Sequence, residues 1–109
     1  MSVTYIDPEE ICDHPLALVV DVRDSDYDVD GHFVRAVNMP LHELNEPSCQ
    51  AMIAGAKELI CYCMQSRQRG PFFAMKVHEM FPKLNVMVVN GGYINVKRSL
   101  PEQCTEEQQ

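Results

Sequence analysis

Basic residues are scarce in this chain: nine Lys and Arg stand against sixteen Asp and Glu, a formal charge of −7. That balance argues against nucleic acid as a partner, because phosphate backbones are held by clustered cations. Apolar runs are short, none near the roughly 20 residues of a membrane helix. The opening "MSVTYIDPEE" lacks the basic and apolar regions of a secretory leader. A cytoplasmic protein without membrane association is the expectation. The five cysteines are odd in number and match no zinc-knuckle spacing: Cys61 and Cys63 form C-x-C, with Cys12, Cys49 and Cys104 scattered. No metal is expected, and in a reducing compartment the cysteines are free thiols. Repeats and low-complexity segments are also missing.

What is present is ordinary globular composition, 46% hydrophobic and 23% charged over 109 residues, enough for one domain with a modest core. Five strand candidates alternate with helical stretches. They are "VTYI" (3–6), "LALVVDVR" (16–23), "AVNMP" (36–40), "ELICYC" (58–63) and "NVMVVN" (85–90). Between and after them the pattern predicts helices over "PEEICDH" (8–14), "SCQAMIAGA" (48–56), "GPFFAMKVHEMF" (70–81) and "YINVKR" (93–98). Asp7-Pro8 opens the first. The third has Phe72, Met75, Lys76 and Glu79 at helical spacing. Apolar strands alternating with helices imply an α/β domain around a largely parallel sheet of about five strands, with ligands beyond the strands' carboxyl ends. The domain is expected over residues 1–99, with residues 100–109 a flexible acidic tail.

At one such strand end lies "CYCMQSRQRGP", in which Cys63 is followed six positions later by Arg69 and then by Gly70-Pro71. A cysteine acts as a nucleophile only as thiolate. Amides of the loop after Cys63, the positive end of the following helix and the fixed charge of Arg69 would all favour that state. The same groups would hold a tetrahedral oxyanion over the sulfur, which puts nucleophile and anion in line. Cys63 and Arg69 are therefore the expected catalytic pair.

"LVVDVRDSDYDVDGHFVRAVNMP" (18–40), "CMQSRQRGP" (63–71) and "VVNGGY" (88–93) together resemble rhodanese-like domains. The resemblance is to their cell-division-cycle dual-specificity phosphatase and eukaryotic arsenate reductase branch. It implies a three-layer α/β/α domain. C-x5-R is the longer loop of that branch, whereas the sulfurtransferases typically carry C-x4-(R/T). By this resemblance Cys63 is the nucleophile, Arg69 the oxyanion clamp, and the amides of Met64, Gln65, Ser66, Arg67 and Gln68 the cradle. No organic cofactor is implied beyond an external thiol, glutathione or a glutaredoxin, for arsenate reduction. The expected partner is a phosphate- or arsenate-type oxyanion, with a phosphoprotein as one candidate; no oligomeric state follows. One departure is Tyr62, where that branch usually has His. Sulfur transfer through a Cys63 persulfide and a non-catalytic anion-binding module are the alternatives.

Other residues read more plainly. Asp21 and Arg23 are expected to brace neighbouring segments, and His32 to be a satisfied hydrogen-bonding residue. Asp24, Asp26, Asp28 and Asp30 lack the closing Glu of a calcium loop and are expected to form a solvated turn. Cys61 shares a strand face with Cys63 and is expected in the core.

Overall fold

Strand alternation decides which residues meet in this protein. The computed structural model describes residues 3–27 and 29–105. Five strands form one all-parallel sheet: β1 (Thr4–Ile6), β2 (Leu18–Asp21), β3 (Val37–Asn38), β4 (Glu58–Tyr62) and β5 (Asn85–Val89), in the order β1-β5-β4-β2-β3. Helices α1 (Glu46–Ile53) and α2 (Arg69–Met80) carry the core of one face, and α3 (Gly92–Ser99) that of the other. Central strand β4 is buried on both sides: Leu59, Cys61 and Cys63 pack with Cys49, Phe73, Ala74 and Val77, while Ile60 and Tyr62 pack with Ile11, Tyr93 and Val96. Each large apolar side chain so buried contributes about 1.5–3 kcal/mol.

Several elements differ from their sequence expectation. The helix expected over residues 8–14 is a 3-10 turn, Pro8–Asp13, in which the Glu10 carboxylate accepts the Asp7 N–H at 2.7 Å. Strand β2 is shorter than its apolar run because Leu16 lies in solvent before the pairing begins. Only Val37 and Asn38 of the third candidate pair, at the sheet edge. α1 starts before Ser48 because Asn45 caps it, accepting the Ser48 N–H at 2.9 Å while the Ser48 hydroxyl accepts the Asn45 N–H at 3.1 Å. In α2 the buried stripe is Gly70, Phe73, Ala74 and Val77, so Phe72 and Met75 face solvent. Between one i+3/i+4 stripe and the next, packing and not periodicity decides.

The segment from residue 100, expected as a flexible tail, begins with a 3-10 turn, Pro101–Gln103, and pairs with residues 32–34. Thr105 N–H donates to the His32 carbonyl and Val34 N–H to that of Gln103, both at 2.8 Å. Residues 106–109 of that expected tail lie outside the described residues.

Candidate functional site

Strand β4 ends at Tyr62, and the chain turns through residues 63–68 into α2, whose first residue is Arg69. Cys63 keeps the strand's alternation, so its side chain lies on the α2 face with Cys61, and only 4% of the residue is exposed. The Ser66 N–H donates to Cys63 Sγ at 3.0 Å, a bond that stabilises negative charge on sulfur. Reaching that position puts Ser66 at φ +53, in the left-handed region. Its hydroxyl oxygen is buried and meets no hydrogen-bond partner among the described residues. Cys63, Met64, Gln65, Arg67, Gln68 and Arg69 line an open cleft of about 400 Å³. A larger apolar groove, about 540 Å³, lies at the amino ends of β4 and β5 beside Ile53, Met80, Phe81 and Leu84, away from the thiol.

The loop is held from behind by α3. Tyr93 N–H donates to the Cys63 carbonyl at 2.8 Å and Ile94 N–H to that of Met64 at 3.2 Å. Because a trans peptide sets its C=O and N–H on opposite sides, these bonds turn the amides of Met64 and Gln65 away from α3. So close an approach needs a glycine. A Cβ on Gly92 would sit 2.5 Å from the Cys63 carbonyl oxygen and 2.6 Å from that of Met64, and its φ is +63. The Gly91-Gly92 pair was visible in the sequence, but its contact with the cysteine loop was not.

Arg69 is also engaged. Its Nη1 donates to Asp26 Oδ1 at 2.9 Å and its Nη2 to Oδ2 at 2.8 Å, with Asp24 Oδ1 at 3.8 Å from Nη1. The hydrogen bond from Arg69, with its charge, holds the Asp26 carboxyl below the usual carboxylate range despite partial burial. The acidic run is therefore not simply a solvated turn. Asp26 pairs with the arginine, and the Asp30 carbonyl accepts from the Tyr93 hydroxyl and from Lys97 Nζ. Asp28 lies outside the described residues.

Next to this pair sits a second one. Arg23 Nε donates to both oxygens of Asp21 and its Nη2 to Oδ2 at 2.7 Å, while Nη1 reaches the Val29 carbonyl and Nη2 that of Gly31. Both side chains are fully buried, and the guanidinium lies 4.3 Å from the Tyr93 ring centroid. Tyr62 points to the face opposite Cys63, where its hydroxyl accepts the Phe33 N–H at 3.2 Å and its ring stacks on Tyr93. Burial, reinforced by the Asp21 charge, pushes the Tyr62 phenol well above its usual range. At this position the side chain braces the core and does not touch the thiol.

The histidines and the second strand cysteine lie outside the cleft lining. His14 meets Glu58 at 3.1 Å. His32 stacks on Tyr27, with its Nδ1 3.4 Å from the Thr105 hydroxyl. Burial pushes the Cys61 thiol upward, and its sulfur faces the Gly70 carbonyl. Among the described residues no group of His, Cys, Asp and Glu is arranged to hold a metal ion, and no helix is long and apolar enough to cross a membrane.

Comparison with known proteins agrees with this architecture. An As-Sb reductase from Leishmania major is 27% identical, with a TM-score of 0.78 over 93% of this chain and 81% of its own. A thiosulfate sulfurtransferase from Pseudomonas aeruginosa is 20% identical, with a TM-score of 0.75 over 90% of this chain and 18% of its own. A single-domain sulfurtransferase from Saccharomyces cerevisiae is 17% identical, with a TM-score of 0.64 over 96% of this chain and 97% of its own. At those identities the two sulfurtransferases speak for the fold alone. No curated protein sequence gives a significant match. The rhodanese-like domain profile matches residues 8–99, most of the chain, with the cysteine loop inside it. The chain belongs to the rhodanese-like domain family.

Proposed function

We propose that this protein is a cysteine-dependent enzyme acting on tetrahedral oxyanions, an arsenate reductase with phosphatase capability. The observation that carries this reading is the cleft itself: a thiol at its floor accepts the Ser66 N–H, and Arg69 stands on its wall at the C-x5-R spacing. The 27% identity to an As-Sb reductase over most of both chains supports it.

In this mechanism the Cys63 thiolate attacks arsenic and displaces one oxygen as water, forming a thiol–arsenate ester. The loop amides and Arg69 hold the remaining oxygens. An external thiol such as glutathione or a glutaredoxin then attacks the Cys63 sulfur. The S–As bond breaks with its electron pair on arsenic, which leaves as arsenite, and a mixed disulfide remains. A second thiol reduces that disulfide and frees Cys63. On a phosphate ester the same thiolate displaces the alcohol, and water hydrolyses the phospho-cysteine. The buried Ser66 hydroxyl, near Gly70 beside Cys63, is available to the departing sulfur. A cytoplasmic setting would supply the thiols.

Glutathione-dependent release of arsenite tests the reading, with aryl phosphate turnover beside it. Both are expected to vanish in Cys63→Ser. Thiosulfate-to-cyanide transfer without either activity would replace it with sulfur transfer, and silence in all three with a binding module.

A further inference from the structure

A guanidinium carries five N–H groups in two forks, one between its terminal nitrogens and one along its Nε side. In Arg69 the terminal fork is filled by Asp26, through bonds of 2.9 and 2.8 Å that join residues 43 apart in sequence. The Nε side meets no acceptor among the described residues. Arg69 borders the cleft with Cys63.

Asp26 is itself anchored. Its Oδ1 accepts the Asp24 N–H at 3.2 Å, and its carbonyl accepts the Val29 N–H at 3.1 Å. Arg23 pins the far side of the same turn through the carbonyls of Val29 and Gly31. A carboxylate fixed in this way holds a long, flexible side chain in one orientation before any ligand arrives.

We infer that Asp26 is the positioning residue of the oxyanion clamp: it grips Arg69 end-on and leaves the Nε fork to meet two oxygens of an anion above Cys63. The inference rests on the oxyanion reading of the cleft. Ordering a rotamer-rich side chain in advance spares the bound state that entropy, so losing the carboxylate weakens anion binding by roughly three- to tenfold. A carboxylate that merely competed with the anion would act in the opposite direction, since its removal would free Arg69 and raise the local positive potential.

The test titrates inorganic phosphate into the reduced full chain as wild type, Asp26→Asn, Arg69→Met and the double variant. The expected result is weaker binding in Asp26→Asn and no further loss when that change is added to Arg69→Met. Tighter binding in Asp26→Asn, or an equal loss in the Arg69→Met background, overturns the inference. If the wild type binds no phosphate, the oxyanion reading fails first, and the order of the Arg69 side chain decides what is left. Its Nε–H resonance should be that of a rigid group in the wild type and of a mobile one in Asp26→Asn. An Arg69 equally rigid in both overturns the positioning role.

Discussion

Arg23 and Arg69 each hold an aspartate from one short stretch of chain, residues 21–26, by different forks and in different surroundings. Arg23 gives its Nε side to Asp21 and spends its remaining reach on two carbonyls, with no exposure at all. Arg69 gives its terminal fork to Asp26 at the lip of the cleft, a third of its side chain exposed. Burial opposes the charge on Arg23, but the hydrogen bond and charge of Asp21 outweigh it, so its proton is held more tightly than usual. A guanidinium so occupied can brace a fold but has little left for a substrate. The one at the lip keeps a fork in hand, so similar chemistry braces the fold in one place and, in the proposed function, serves recognition in the other.

Removing each cation should separate the two jobs. Arg23→Met leaves the Asp21 carboxylate buried without its partner and should cost about 3–5 kcal/mol in chemical denaturation. Arg69→Met should change stability by less than about 1 kcal/mol, since its pair is partly exposed. Its kcat/KM for arsenate or an aryl phosphate should nevertheless fall by roughly 10²–10³. Equal destabilisation by the two variants would erase the contrast.

Smaller changes sharpen it. Gly92→Ala forces a Cβ against the carbonyls of Cys63 and Met64 at positive φ, and should cost about 1–3 kcal/mol with loss of turnover. Gly55→Ala, also at positive φ but with no atom near the added carbon, should leave turnover unchanged. The smallest effect is on pH dependence. The folded-state pKa of Asp26 is lowered, so its contribution to stability is full above the ordinary carboxylate range and is lost as pH falls through the lowered value. The gap in Tm between wild type and Asp26→Asn should therefore narrow below about pH 4.

Much of this architecture is legible in the amino-acid sequence alone. Buried parallel strands announce themselves as apolar runs, and the Cys63–Arg69 spacing with Gly70-Pro71 behind it marks a strand-loop-helix turn. Legibility failed wherever a partner came from far along the chain. Asp26 reads as one member of a polar turn until a helix start 43 residues away is brought beside it. Tyr62 reads only as a departure from the usual His until its distant partners on the opposite face, Phe33 and Tyr93, are brought onto it. Phe72 and Met75 show only helical spacing in the sequence, and packing selects Phe73, Ala74 and Val77 as the buried stripe.

The amino-acid sequence by itself determined the strand count, the alternation that sets Cys61 and Cys63 on one sheet face, and a thiol placed six residues before a permanent cation. These are local properties, set by side-chain period and backbone connectivity. Only the tertiary structure decided what each of those groups touches: that α3 seats on the loop carbonyls through Gly92, and that Arg69 meets Asp26 while Arg23 is sealed on Asp21. Such contacts depend on how the loops at the sheet's carboxyl end converge, and that convergence is settled by packing across the whole sheet, not by any single stretch of residues.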